Sequence, residues 1–191
     1  MTHIAGFFLC IFIALTTSFS ATWFAVQNRH GFEQVKLGAW SMWVKAGSTT
    51  ADPYTKAIIS KSGEVPLQAA EGLELIATHD DNGRSFKAAC TYAISGALPA
   101  ARFWTLNAYT KDGQIASNIA ERYGLTSTEI VRDEAGNFEI NISATIQPGN
   151  WLPVAPLPFQ LILRLYDTST GSSTAELQAA IHLTTTKKSC L

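Results

Sequence analysis

Residues 148–167 read PGNWLPVAPLPFQLILRLYD, and they contain four of the chain's seven prolines, all ahead of a predominantly apolar run. Proline fixes the backbone angle φ and cannot donate a hydrogen bond to a neighbouring strand. Residues 148–158 are therefore predicted to turn a corner at the edge of a β-structure in extended form. The run from Phe159 to Tyr166 is predicted to be a strand that leaves this corner.

Alternating apolar and polar side chains predict further strands along the chain. The clearest alternation is FEINISATI at residues 138–146, as expected of a strand with one buried face. Shorter runs predict strands at 73–78, 86–94, 103–109 and 177–183. Asp52 and Pro53 are a helix-start signal, and they predict one short helix. Short strands separated by turn residues favour an antiparallel β-sandwich, so the fold class is predicted to be mainly β.

The N-terminus predicts a membrane segment. Residues 4–26 carry no charge, and a helix of that length spans a hydrocarbon core of about 30 Å. Ser18 and Ser20 approximate the small-x-small pattern of a cleaved export signal, but the apolar run resumes from Trp23 to Val26, which favours an uncleaved anchor. The predicted organisation is an anchor or uncleaved signal at 1–26, a juxtamembrane linker at 27–37 and a β-sandwich domain at 38–191.

The side of the membrane on which the domain lies stays open at this point. Arg29, Lys36 and Lys45 follow the helix, and by the positive-inside rule they favour a cytoplasmic domain. Cys90 and Cys190 form an even pair outside the membrane segment, which is how exported proteins use cysteine. A disulfide between these two residues would stabilise the fold by about 2 to 4 kcal/mol. The alternative is two unpaired thiols.

Composition and motifs argue against several function classes. A net charge of -1 and a sequence pI of about 6.4 give no basic surface for nucleic acid. His79, Asp80 and Asp81 are consecutive and would point to alternate faces of a strand, so no metal or cofactor site is predicted. The sequence has no G-x-S-x-G nucleophile elbow and no phosphate-binding loop. The sequence leaves open the hypothesis of a carboxylate pair that cleaves glycosides. Its candidates are Asp52, Glu74, Asp112, Glu121 and Asp133.

Arginine and aromatic residues in and around the strands are candidates for a ligand-binding face. Arg102 and Arg164 lie within apolar strands, where an arginine must reach water, stack on an aromatic ring or pair with a carboxylate. Alternation places Arg164 on the same strand face as Tyr166. The candidate ligand-binding residues are Arg102, Trp104, Asn150, Trp151, Arg164 and Tyr166. For the two arginines, a structural contact across strands with Trp104, Tyr109 or Trp151 is favoured over an anion-binding face.

Six motifs, in order along the chain, resemble those of one known family. They are GAW at 38–40, DPYTKA at 52–57, CTYAISG at 90–96, ARFWTLNAYTKDG at 101–113, GNWLP at 149–153 and PFQLILRLYD at 158–167. Together they resemble the bacterial domain-of-unknown-function family twelve-fourteen. The resemblance implies a β-sandwich of the jelly-roll type. For anchored versions it also implies an envelope or exported setting, which favours the periplasm. It supplies no catalytic residues.

These predictions describe a bacterial inner-membrane protein with a single span. Its periplasmic sandwich is expected to bind an envelope protein partner or a small ligand, without catalysis and without a cofactor. The alternative is a carbohydrate-active or other hydrolase with a carboxylate pair on a concave sheet face. A third hypothesis is a membrane-surface scaffold in which residues 29–45 contact anionic headgroups, with about 1 kcal/mol for each charge near the surface.

Overall fold

The computed structural model describes residues 2–29, 34–62, 65–67, 71–168 and 174–190. Within these ranges the chain forms three helices and ten strands. The helices are α1 (Thr2–Gln27), α2 (Pro53–Ser62) and α3 (Thr174–Ala180). The strands are β1 (Gln34–Leu37), β2 (Trp40–Trp43), β3 (Gly72–Ala77), β4 (Cys90–Ala97), β5 (Ala101–Thr110), β6 (Gly124–Thr126), β7 (Phe138–Ser143), β8 (Asn150–Pro153), β9 (Phe159–Thr168) and β10 (His182–Cys190).

The strand predicted after the proline-rich corner lies inside the larger of two sheets. The six-stranded sheet has the order β1-β2-β3-β9-β5-β6, and β9 pairs antiparallel with both β3 and β5. The four-stranded sheet has the order β10-β4-β7-β8. Leu161 and Leu163 are buried on one face of β9, and Ile162 is buried on the other. Burial on both faces explains why the middle of this strand, Leu161 to Leu163, is apolar at consecutive positions.

The two sheets pack face to face around one core. The rings of Phe159 on β9 and Tyr92 on β4 are 6.1 Å apart between centroids. The rings of Trp104 on β5 and Phe138 on β7 are 5.6 Å apart. All four residues belong to a single buried apolar cluster, and burial of this surface is the main force that holds such layers together. The fold is therefore mainly β with two packed layers. The outer face of the six-stranded sheet is the face turned away from the four-stranded sheet.

Several segments differ from their predicted structure. The predicted sheets are antiparallel, but β8 pairs in parallel with β7. Residues 177–180 lie in α3, not in a strand, because Ala, Glu, Leu and Gln favour a helix and Leu177 alone buries it against the core. Residues 34–37 were assigned to the linker, but they form β1 because Val35 and Leu37 are buried. Strand β4 begins at Cys90, later than predicted.

Helix α1 leaves the sandwich beside α2. Its residues His3–Gln27 are long and apolar enough to cross a membrane, and the most apolar part of this segment is 0% buried. Near the end of α1, Lys61 Nζ of α2 donates a hydrogen bond to Gln27 Oε1. The same Nζ lies 6.0 Å from the centroid of the Trp23 ring. The structure thus provides a candidate membrane span with its exit point next to α2.

Candidate functional site

Two of the predicted ligand-binding residues, Arg102 and Tyr166, lie together at one end of the six-stranded sheet. Phe103 of β5 and Tyr166 of β9 are direct cross-strand partners, and their ring centroids are 6.2 Å apart. An open depression surrounds this aromatic pair. Its described lining residues are Glu71, Arg102, Phe103, Thr105, Tyr166 and Asp167. We call these six residues the Tyr166 patch.

The rim of the Tyr166 patch is shaped by the chain at the end of β9. Asp167 has a positive φ of 50°, and its backbone N–H donates to the carbonyl oxygen of Glu71 at 3.0 Å. Arg102 Nη1 lies 4.0 Å from Asp167 Oδ2, and the two side chains are 82% and 75% exposed. Such an exposed ion pair contributes little to stability because water screens it. Arg102 can therefore exchange Asp167 for a group on a ligand at small cost.

Arg164 is held within the outer face of the sheet by two neighbouring strands. Its Nε lies 2.6 Å from Glu74 Oε2 on β3, and its Nη1 donates to Tyr109 Oη on β5 at 3.4 Å. Burial would lower the pKa of Arg164, but the charge of Glu74 and these hydrogen bonds outweigh burial and raise the pKa. Arg164 is thus a cation that is neutralised inside the sheet. It makes the cross-strand contact that was the structural alternative for this residue.

Trp104 lies on the other side of the same sheet. Its side chain is 3% exposed and packs in the core against Phe138. The guanidinium carbon of Arg132 lies 5.7 Å from the centroid of its ring. The alternation that places Phe103 and Thr105 on the outer face turns Trp104 inward. Trp104 is therefore separated from the Tyr166 patch by the thickness of the sheet.

Asn150 and Trp151 fix β8 against β7 in the four-stranded sheet. The Asn150 side chain accepts a hydrogen bond from the N–H of Val131 at 2.8 Å and donates one to the carbonyl oxygen of Glu139 at 2.9 Å. Trp151 Nε1 donates to the carbonyl oxygen of Ser143 at 3.1 Å. These bonds hold the short edge strand in its parallel register. The structure does not bring either residue to the Tyr166 patch.

The predicted cysteine pair is confirmed. Cys90 and Cys190 form a disulfide, and they are register partners in β4 and β10 with their Cα atoms 3.9 Å apart. The bond joins positions 100 residues apart in the sequence, and it fastens the last described strand to the middle of the sandwich. Among the described residues, Cys10 of α1 is the free cysteine.

The carboxylates proposed for a hydrolytic site are dispersed over different structural positions. Asp52 caps α2 by accepting hydrogen bonds from the N–H groups of Tyr54 at 2.9 Å and Thr55 at 3.1 Å. Burial would raise the pKa of Asp52, but the hydrogen bond from the Thr55 hydroxyl and these two backbone bonds outweigh burial and lower the pKa. Asp133 accepts the backbone N–H of Asn137 in a turn at 2.7 Å. In the described part of the chain, no three or more His, Cys, Asp or Glu side chains are placed to hold a metal ion.

Sequence reasoning missed the structural role of Asp81. Its Oδ1 accepts the N–H of Ala39 at 3.0 Å, and its Oδ2 accepts the N–H of Thr185 at 2.6 Å. Ala39 precedes β2 and Thr185 lies in β10, so one carboxylate ties the two sheets together. The partners lie 42 and 104 positions from Asp81 in the sequence. No local pattern could have identified such distant partners.

Four residues of the Tyr166 patch were not among the predicted ligand-binding residues: Glu71, Phe103, Thr105 and Asp167. The stretch from Ala101 to Thr110 mixes apolar and aromatic residues at both parities, so the sequence does not separate its two faces. The cross-strand partnership of Phe103 with Tyr166 settles which face is outward.

Comparison with known proteins places most of the sandwich in one family. Residues 71–170 match a family described as "Protein of unknown function (DUF1214)". The matched segment runs from just before β3 to beyond β9, which is more than half of the chain. It confirms the resemblance that the six motifs indicated. No curated protein matches the chain.

Two solved structures share the fold. The crystal structure of the VPA0106 protein from Vibrio parahaemolyticus has a TM-score of 0.63 at 17% identity, and the match covers 91% of this chain and 43% of that one. The crystal structure of an uncharacterized protein from Burkholderia cenocepacia has a TM-score of 0.51 at 12% identity, covering 88% and 40%. The chain thus spans about two fifths of the length of each. At these identities the likeness concerns the fold alone.

Proposed function

The chain belongs to the DUF1214 family, and we propose that it is a single-pass protein of the bacterial inner membrane whose sandwich lies in the periplasm. There the sandwich binds another envelope protein without chemistry of its own. One observation carries this proposal: a disulfide-closed sandwich is joined in one polypeptide to an apolar helix whose most apolar part is not buried by any described part of the chain.

The membrane part of the proposal rests on the length and surroundings of α1. The segment His3–Gln27 has 25 residues, which makes a helix about 37 Å long, enough for a hydrocarbon core of about 30 Å. A soluble domain would leave such a helix in water at a high cost, because the described parts of the sandwich bury 0% of its most apolar part. A bilayer supplies that partner.

The periplasmic part rests on the disulfide. Bonds of this kind persist in oxidising compartments and are rare in the cytosol, where thiols are kept reduced. Cys90 and Cys190 are direct partners in adjacent strands, so the bond needs no rearrangement of the sandwich. Three basic residues after α1 favour the opposite side by charge count. We give the disulfide more weight than the charge count, because the persistence of a disulfide depends directly on the redox state of the compartment.

The binding part rests on the shape and chemistry of the Tyr166 patch. The depression is open and shallow, whereas sites for small molecules enclose most of their ligand. It presents two half-buried aromatic rings and Arg102, and aromatic residues with arginine are the types enriched at protein interfaces. The weak Arg102 contact to Asp167 leaves the guanidinium available for a carboxylate on the partner. A protein surface fits this site better than a small ligand.

The test is photo-crosslinking in native membranes. Phe103 is replaced in the full chain by a photoreactive phenylalanine analogue, and the same analogue replaces Thr186, an exposed residue of β10 on the other sheet. The proposal predicts one discrete cross-linked protein from position 103 and none from position 186. The Arg102→Ala substitution should weaken that product.

Equal products at both positions, or none at position 103, would count against the patch as a partner site. The enzyme alternative has its own test. Hydrolysis of an ester or glycoside panel by the purified full chain, abolished by one carboxylate substitution, would replace the binding proposal with a catalytic one.

A further inference from the structure

A second surface lies on the outer face of the six-stranded sheet, directly beside the end of α1. It is a groove at the start of the sheet, bordered by Asn28 and Arg29 after the helix and by Lys36, Ser41 and Trp43 on β1 and β2. We call it the membrane-side groove. Among the described residues that line it there are two cationic side chains and no carboxylate.

The strand register explains why these side chains face the same way. Val35 and Leu37 are buried in the core, so Lys36 between them points outward. Lys36 pairs with Ser41 across β1 and β2, and Ser41 pairs with Ile76 across β2 and β3. The three residues form one row across the groove. In the described part of the chain no ion pair involves Lys36.

Trp43 forms one wall of the groove together with Arg29. The guanidinium carbon of Arg29 lies 5.3 Å from the centroid of the Trp43 ring, which is a cation-π distance. Trp43 Nε1 is buried and has no hydrogen-bond partner among the described residues. Tryptophan beside a basic residue is typical of the interface between bilayer and water, where the ring is half apolar and half polar.

The length of α1 determines where the groove lies relative to the bilayer. A helix of about 37 Å exceeds the hydrocarbon core by several ångströms. With α1 in the bilayer, the residues that directly follow Gln27 emerge in the headgroup layer. Asn28 and Arg29 are those residues, and both line the groove. Trp23, one turn earlier and next to Lys61, lies at the depth of an aromatic belt.

We propose that the membrane-side groove binds the phosphate of an anionic phospholipid headgroup. The groove is at headgroup height, its described lining carries positive charge, and the Asn28 amide, which uses one N–H on the carbonyl oxygen of Phe24, has a second N–H that can donate a further hydrogen bond. Binding would fix the orientation of the sandwich on the membrane. The proposal rests on the membrane placement of α1, but it is independent of the Tyr166 patch.

The test is amide hydrogen exchange of the full chain in lipid nanodiscs. One set of discs contains phosphatidylcholine alone and the other contains phosphatidylcholine with phosphatidylglycerol. The proposal predicts that phosphatidylglycerol slows exchange in peptides covering β1 and β2 by about five-fold, the effect of one basic residue at an anionic surface. The substitutions Lys36→Glu and Lys36→Met should each remove the slowing.

Two lysines provide matched controls. Lys56 is exposed on α2, the helix that contacts the end of α1, and Lys111 is exposed after β5, across the sheet from the groove. Lys56→Glu and Lys111→Glu should both keep the slowing in β1 and β2. An intact Cys90–Cys190 disulfide and unchanged circular dichroism show that each variant is folded.

Several results would contradict the proposal that the membrane-side groove binds a lipid phosphate. One is that phosphatidylglycerol does not slow exchange in β1 and β2 of the unmodified protein. Another is that the slowing survives Lys36→Glu or is lost equally with Lys56→Glu. A third is slowing produced by inorganic phosphate in phosphatidylcholine discs, which would assign a soluble anion instead of a lipid. A chain that fails to enter the nanodiscs contradicts the anchor itself, so the two failures are distinguishable.

Discussion

Arg164 and Arg102 lie on the same sheet, but they hold their carboxylates under opposite conditions. Arg164 is central: its side chain is 25% exposed, that of Glu74 is 13% exposed, and the two approach to 2.6 Å. Arg102 is at the rim, where both members of the pair are largely exposed and stay 4.0 Å apart. The central pair belongs to the packing of three strands, and the rim pair is free to rearrange. An arginine within an apolar strand can therefore indicate either structure or binding.

A third arginine is intermediate between the two. Arg84 is 54% exposed, but its partner Asp80 is fully buried, with 3.0 Å between Nη2 and Oδ2. Asp80 also accepts backbone N–H groups of Asn82 and Arg84. The three arginines form a series of increasing side-chain exposure, at 25%, 54% and 82%. The expected effects of substitution decrease along this series.

Glu74→Ala should have the largest effect. It leaves the Arg164 charge half-buried without its carboxylate, and removal of one member of such a pair costs about 3 kcal/mol. Urea unfolding of the full chain in detergent, followed by circular dichroism, measures the loss. Asp167→Ala is the matched control at the rim, and its effect should stay within about 0.5 kcal/mol. Equal effects of the two substitutions would remove the distinction between centre and rim.

Replacement of both central partners should cost less than removal of one. Arg164→Met with Glu74→Leu fills similar volume with apolar groups and leaves no charge unpaired. We expect the double variant to recover at least about 1 kcal/mol relative to Glu74→Ala in the same unfolding experiment. A double variant less stable than Glu74→Ala would show that the pair contributes more than it costs to bury.

The Asp80 pair should give the protein a sensitivity to acid. Burial would raise the pKa of Asp80, but hydrogen bonds and the charge of Arg84 outweigh burial and lower the pKa below its ordinary value of 3.8. A lowered folded-state pKa means that the stabilisation is complete above about pH 4 and is lost as the pH falls through the folded-state value. Unfolding curves between neutral and acidic pH measure this. Asp80→Asn should flatten the acid limb, and an unchanged limb would contradict the assignment.

Arg102→Ala should change stability least. The pair with Asp167 is exposed, so the free energy of unfolding should stay within about 0.5 kcal/mol of the unmodified protein. In the crosslinking experiment at position 103, however, the partner product should fall about five-fold, as expected for an arginine that contributes about 1 kcal/mol to an interface. If Arg102→Ala lowered the free energy of unfolding but left the amount of cross-linked partner unchanged, the role of Arg102 would be structural and not in binding.

The sequence predicted the parts of the fold that follow from local pattern. The apolar run of β9, the cap at Asp52 and the even cysteine pair each carry their signal within a short segment or in a simple count. Parallel pairing of β8 was not predictable, because it depends on hydrogen bonds from Asn150 to Val131 and Glu139. Helix α3 was missed because Leu177 alone supplies its buried contact.

The candidate site was predictable only in part, because its geometry depends on contacts between residues that are distant in the sequence. Alternation predicted that Arg164 and Tyr166 share one face of β9. Which side chains of β5 face outward, however, depends on the pairing of β5 with β9. Trp104 and Phe103 are neighbours in sequence and lie on opposite faces of the sheet. Only the register identifies Phe103 as the partner of Tyr166.

The central claim is that a membrane-anchored chain holds its disulfide-closed sandwich in the periplasm. The most direct test is the thiol state of Cys90 and Cys190 in intact cells, with Cys10→Ser so that only these two cysteines remain. Cells are quenched with acid, and the membrane fraction is treated with a maleimide of high mass. The account predicts no label before reduction and label on both cysteines after it. Label on both cysteines without a reductant would contradict it.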